Sequence, residues 1–163
     1  MGLYVQGDLA ISRQGSAAVM PALSTTAGRV KPAPEIPIQE LWLRADPVEL
    51  RTARRFAECA ADHFGLGDDA RFRFTLAVNE AVANAIEHGE PSADGRVQLK
   101  IYAQGDTLAF EVRDWGRFGA NWPGHDGMQE RGRGLAMMAS LVDEVDLKPA
   151  EHSTVVRLKV RAA

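Results

Sequence analysis

An α+β fold, a two-layer sandwich with helices on one face of a mixed or antiparallel sheet, is predicted by three observations in this 163-residue sequence. Apolar residues alternate strictly on both sides of Gly105-Asp106, with Val97, Leu99, Ile101 and Ala103 set against Leu108, Phe110 and Val112. That pattern is a hairpin with one buried face. Two stretches of helical apolar spacing precede the hairpin, and a third follows it before two more alternating runs. The resulting order, β-α-α-β-β-loop-α-β-β, places the helices together on one side of the sheet.

Each element has its own warrant. Residues 1–38 mix Gly, Ser, Thr, Ala and Pro, and Pro32, Pro34 and Pro37 exclude a regular helix, so this part is expected to be a flexible extension of a domain spanning 39–163. Leu41 to Leu43 suits a short strand. Asp46 can cap a first helix, with Pro47 at its first position and Glu49 three residues after the cap. Leu50, Ala53, Ala57, Ala60, Ala61 and Phe64 then recur at helical spacing until Gly65 stops the run. Asp68 or Asp69 is expected to cap the second helix, which ends at Gly89 before Pro91. Residues 115–131 hold four glycines, a proline and two tryptophans, a length and composition typical of a lid or binding loop. Gly132-Arg133-Gly134 is expected to open the third helix, with Leu135, Met138, Leu141, Val142 and Val145 as its apolar face. Val145–Leu147 and Thr154–Val160 close the sheet.

Composition bounds the function classes. At 45% hydrophobic and 25% charged the chain reads as an ordinary soluble domain. A net charge of −3 argues against a nucleic-acid footprint, which is usually basic. No apolar run reaches the ~18 residues of a membrane span, and no secretory signal opens the chain, so a cytoplasmic protein is expected. The single cysteine, Cys59, can form neither an internal disulfide nor a thiolate metal cluster and is expected to be a small buried hydrophobe.

Three motifs carry chemistry. In NEAVANAIEHG, residues 79–89, Glu80, Asn84 and His88 are successive i, i+4 positions, while Phe74, Val78, Val82, Ala85 and Ile86 gather opposite. An acid and an amide one turn apart can divide two tasks, the acid accepting a proton and the amide oxygen ligating a hard cation such as Mg²⁺. Taken alone, such a stripe is the ordinary solvated face of an amphipathic helix. His88 has no second His or Cys at ligand spacing and reads as a structural or orienting residue. Asp114-Trp115-Gly116 ends a buried strand; its carboxylate can accept a hydrogen bond from the exocyclic amine of a base, and Gly116 lets a flat ring approach the backbone. The bland reading is a simple Asp-X-Gly turn. Arg131 to Leu135, RGRGL, is a glycine-rich turn entering a helix, where free N–H groups and the positive dipole end suit phosphate and Arg131 and Arg133 can neutralise its charge; the bland reading is a simple helix cap with two solvated arginines.

In that order the three motifs resemble the nucleotide-binding site of the GHKL ATPase superfamily, with its Bergerat fold. NEAVANAIEHG looks like the N box, DWG like the G1 box and GRGL like the G2 box, and the wording around Glu80 to Gly89 is most similar to the anti-sigma-factor serine/threonine kinases. The resemblance runs from about residue 40 to 160. It implies Glu80 as general base, Asn84 as Mg²⁺ ligand, and Asp114 as reader of the adenine amine with Gly116 beside it. It further implies Gly132 and Gly134 around the phosphates, Arg131 near a lid arginine approaching the γ-phosphate with Arg133 close by, and Thr154 helping to hold the adenine. ATP and Mg²⁺ are the implied cofactors, and the implied partners are a sigma factor or similar client and a STAS-type antagonist that is phosphorylated in partner switching. A homodimer is implied too.

The sequence also departs from the family pattern. The G1 box usually reads D-x-G-x-G, whereas Arg117-Phe118 follow Gly116 here and the next glycine is Gly119; Trp115 and Trp122 are bulky, and Ser153 stands where glycine is often found. These departures keep open a second reading, a non-catalytic nucleotide-binding module that only sequesters its partner. A histidine-kinase catalytic domain is disfavoured, because no helical pair is present to carry a phosphoacceptor histidine.

Overall fold

The alternation in residues 96–114 folds into the hairpin it predicts, in a computed structural model that describes residues 9–12, 36–116, 128–150 and 152–162. Its strands, β3 (Arg96–Gln104) and β4 (Thr107–Asp114), turn through Gly105, whose φ of 59° lies in the left-handed region open to glycine. Four further strands complete the sheet: β1 (Leu9–Ser12), β2 (Gln39–Arg44), β5 (Glu144–Ala150) and β6 (Ser153–Arg161). Their spatial order is β1-β5-β6-β4-β3-β2, and every neighbouring pair is antiparallel. The α+β sandwich is thus built on an antiparallel sheet.

Of residues 1–38, Leu9–Ser12 pairs with β5 at one edge, and Ile36 is buried beside the other, where its carbonyl accepts the Ala103 N–H at 3.0 Å.

The first helix starts as a 3₁₀ turn, Pro47–Glu49, capped by Asp46, whose carboxylate accepts the Val48 N–H at 2.9 Å. It continues as α1 (Leu50–Phe64) and stops at Gly65, φ 89°. Four of its five buried residues, Ala53, Ala57, Ala60 and Ala61, are alanines, which lets the backbone of α2 (Asp68–Glu87) approach closely. Cys59 is exposed, contrary to the expectation of burial. The reason is angular: at 100° per residue position 59 points away from the stripe shared by 53, 57, 60, 61 and 64. The cap of α2 also differs from the expectation. Gly67 occupies the N-cap, and Asp68 and Asp69 sit in the first turn, where they complement the helix dipole and pair with Arg71 and Arg73 at 2.6 and 3.0 Å.

Helix α2 lies on β4 and β6, α1 on β3 and β4, and α3 (Met128–Leu141) on α2 and β5. The inward-facing Val97, Leu99, Ile101, Leu108, Phe110, Val112, Val145 and Leu158 meet Phe74, Val78, Val82 and Met138 between the layers. Phe74 and Phe110 meet edge to face, with centroids 6.4 Å apart at 86°. Side chains on the other sheet face form a polar lattice. Glu40 pairs with Lys100 at 2.8 Å, Glu111 accepts from Tyr102 at 2.9 Å and Arg157 at 2.6 Å, and Lys159 sits between Glu144 and Asp146 at 2.6 and 3.2 Å. Among the described residues no helix is long and apolar enough to cross a membrane.

Candidate functional site

Helix α2 is wedged among the sheet, α1 and α3, so its burial extends over Phe74, Thr75, Ala77, Val78, Ala81, Val82 and Ala85. Of the stripe predicted to be polar, Glu80 and Asn84 are left half-buried on the α3 side and His88 is exposed. Asn84 Nδ2 lies 3.4 Å from Glu80 Oε1, a long hydrogen bond that holds acid and amide side by side. Opposite them stands buried Gly134. A Cβ at that position would lie 2.7 Å from Glu80 Oε1 and 3.1 Å from Asn84 Nδ2, so any larger residue there would have to push the ends of both side chains aside.

At the end of α2, Gly89 performs the same service for the aspartate: a Cβ there would stand 2.8 Å from both Cβ and Cγ of Asp114 and 2.4 Å from the Ala85 carbonyl oxygen. Asp114 ends β4, and its Oδ1 accepts the Gly116 N–H at 2.9 Å, closing a tight turn. The turn is tied to the α2 exit by the Trp115 N–H, which donates to the Glu90 carbonyl at 2.7 Å. Sheet register sets Thr154 of β6 directly opposite Asp114, and its hydroxyl donates to the Gly116 carbonyl at 3.5 Å. Glu80, Asn84 and Gly134 therefore form one end of the site, and Asp114, Gly116 and Thr154 the other. Glu80 and Asn84 lie within α2, and the other end of the site gathers where the chain leaves that helix after Glu87.

The glycine-rich motif sits differently from the sequence expectation. Helix α3 begins at Met128, so Gly132 and Gly134 lie inside it and do not open it. Their amides fall beyond the first turn, where helical N–H groups are bonded to carbonyls four residues back. Glycine inside a helix costs only about 1 kcal/mol relative to alanine. Burial of Met138 and Val142, with Leu135 and Leu141 packed beside them, offsets that cost, so the two glycines do not set the helix start. Arg133 is exposed, and the Arg131 side chain, Arg117, Phe118, Gly119 and Trp122 lie outside the described residues.

The donor set fits Mg²⁺ bound jointly with a nucleotide. Among the described residues no cluster of three or more His, Cys, Asp or Glu is placed to hold a metal alone. Mg²⁺ commonly takes one or two protein oxygens, with water and substrate phosphates completing its octahedron, and the Asn84 amide and Glu80 carboxylate can supply such oxygens. The glycine positions at both ends, where a Cβ would collide with a site residue, let neighbouring elements pack closely against the site side chains.

One contact at the site was not readable from the sequence. Trp42 of β2 stacks on Trp115, with ring centroids 5.4 Å apart and planes inclined at 27°. Parity alone places Trp42 on the sheet face opposite Leu41 and Leu43, but no local signal links it to a residue 73 positions later.

Comparison with known proteins bears on the family and the fold. The sequence profile of the histidine kinase-like ATPase domain family matches residues 43–160. The chain is 28% identical to the serine-protein kinase RsbW of Bacillus velezensis over 134 residues, which cover 74% of this chain and 83% of that protein. It is also similar to a crystal structure of the RsbU and RsbW domains of a Mycobacterium tuberculosis protein, with a TM-score of 0.61 and 23% identity over 77% of this chain. The chain spans 32% of the length of that solved chain, and at this identity the likeness concerns the fold.

Proposed function

Because the chain belongs to the histidine kinase-like ATPase domain family, we propose that it is an ATP-dependent serine/threonine protein kinase that acts as an anti-sigma factor and phosphorylates a STAS-type antagonist in partner switching. The observation that carries the proposal is the close placement of Gly134 against Glu80 and Asn84, at one end of a site whose other end is Asp114 opposite Thr154. The similarity to a protein named as a serine-protein kinase supports the reaction class.

In this reading Asp114 accepts the adenine amine, Thr154 and Gly116 flank the ring, and Gly132 and Gly134 let the phosphates approach α3. Arg131 and Arg133 supply positive charge near the triphosphate. Asn84 holds Mg²⁺, which when bound neutralises phosphate charge. Glu80 accepts the proton of the attacking serine or threonine hydroxyl. The hydroxyl oxygen bonds to the γ-phosphorus as the bond to the β-phosphate oxygen breaks, and ADP departs with that electron pair. Phosphoryl transfer depends mainly on positioning and charge stabilisation, and a rigid helix stripe facing a glycine suits both. The kinase is assigned to residues 39–163, with 1–38 as an extension. It works as a homodimer in the cytoplasm, bound to a sigma factor or similar client.

The test is transfer of labelled phosphate from ATP with Mg²⁺ to the STAS-type protein encoded nearest to this chain. The antagonist is expected to be labelled by the wild type, while Glu80→Ala should bind nucleotide and transfer none. Tight nucleotide binding without label would favour pure sequestration of the partner, and lack of nucleotide binding would overturn the kinase reading.

A further inference from the structure

We propose that Trp42, on an edge strand outside the three motifs, is a positioning residue that sets adenine selectivity through its stack on Trp115. The inference rests on the nucleotide-site reading above and extends it to a residue that no motif contains.

The argument follows the contacts outward from Asp114. One carboxylate oxygen, Oδ1, is already engaged by the Gly116 N–H at 2.9 Å, so the direction in which the carboxylate points depends on the backbone of residues 115 and 116. Two contacts fix that backbone on the Trp115 side. Its N–H is held by the Glu90 carbonyl at 2.7 Å, and its indole lies on the Trp42 ring at a centroid distance of 5.4 Å. The backbone that carries Trp42 is anchored, because β2 is paired to β3 along its whole length with Trp42 opposite Gln98. The stack thus runs from a rigid strand to Trp115, from there to the Gly116 amide, and from that amide to the base-reading carboxylate. Trp42 remains 41% exposed, and its ring stacks on that of Trp115 in the Asp-Trp-Gly turn.

A guanine presents a carbonyl oxygen where adenine presents an amine, so a correctly aimed carboxylate favours adenine and repels guanine. Loosening the aim weakens the first effect and relaxes the second. A stacked aromatic pair contributes about threefold to tenfold in an equilibrium constant.

The experiment measures binding of ATP and of GTP, each with Mg²⁺, to wild type, Trp42→Ala and Trp42→Phe by titration calorimetry, with thermal melts as a folding control. Trp42→Ala is expected to bind ATP about threefold to tenfold more weakly while GTP changes less, so that the adenine preference shrinks; Trp42→Phe, which retains a ring, should recover most of it. Unchanged ATP affinity in Trp42→Ala, or equal losses for both nucleotides in a protein that melts normally, would overturn the proposal. A wild type that binds no ATP would instead sink the nucleotide reading and the selectivity inference with it.

Discussion

Gly134→Ala separates stability from activity. The added Cβ would stand 2.7 Å from Glu80 Oε1 and 3.1 Å from Asn84 Nδ2, well inside the ~3.5–4.0 Å optimum of non-bonded heavy atoms. Both obstacles are ends of flexible side chains, so the substitution pushes them aside and leaves the helices in place. Three terms set the stability. Alanine in a helix gains about 1 kcal/mol over glycine. The long Asn84–Glu80 hydrogen bond, 3.4 Å, is lost at a cost of about 0.5–1 kcal/mol, and off-rotamer side chains add a similar amount. The sum lies within about 1 kcal/mol of zero, equivalent to a shift of about 2–4 °C in melting temperature. In the proposed kinase reaction the response differs, since displacing Glu80, the proposed base, by about 1 Å would cost on the order of 10²-fold in rate. Differential scanning calorimetry and single-turnover phosphate transfer, run on the same preparations, measure both quantities. Full transfer activity in Gly134→Ala would refute the assignment of Glu80. A loss of more than about 3 kcal/mol would refute the claim that the Glu80 side chain yields and the backbone does not.

Two further outcomes follow from the same geometry. Gly89→Ala meets a backbone carbonyl at 2.4 Å and the stem of Asp114 at 2.8 Å, neither of which can swing away, so it should destabilise by about 1–3 kcal/mol in thermal denaturation; a neutral result would show that the α2 exit tolerates bulk. The Tyr102 phenol is pushed up to about 12 by burial and then by its hydrogen bond to Glu111. An unfolded phenol ionises near ~10, so this group's stabilisation is fully present below that pH and is lost as pH rises through the folded value. Ultraviolet titration of Glu111→Gln, referenced to Tyr102→Phe, should show the phenol's midpoint falling toward its ordinary value, and an unmoved midpoint would exclude the Glu111 contribution.

The layers of this fold were legible because they rest on short-range periodicity. The alternation of Val97, Leu99 and Ile101 against Leu108, Phe110 and Val112 specified both pairing and buried face, and all six are buried. The Asp46-Pro47 start and the Gly65 stop were legible for the same local reason. Cys59 was misplaced because membership of an apolar-looking run is not membership of the buried stripe, a distinction that depends on angle. The start of α3 was missed because Gly132 and Gly134 signal a break only when nothing packs against the helix around them. At the site, Glu80 beside Asn84 could be read from i, i+4 spacing, and Asp114 from the end of a strand. The approach of Gly134 to that stripe, of Gly89 to Asp114 and of Trp42 to Trp115 depends on tertiary contact, which no local window of sequence contains.

The register that sets Thr154 opposite Asp114 has a consequence for the order of synthesis. Strand β4 is complete at residue 114, but its partner β6 begins only at Ser153, and β6 lies between β4 and β5 in the sheet. A nascent chain that has not emerged past residue 154 carries every residue of the helix stripe and the Asp-Trp-Gly turn, yet it lacks the Thr154 side of the proposed base pocket and the strand that joins the two halves of the sheet. In the proposed nucleotide site, capture of the ligand during synthesis would therefore report the pairing of β6, and a ligand present at that stage would select chains that have closed their sheet over those that have only collapsed.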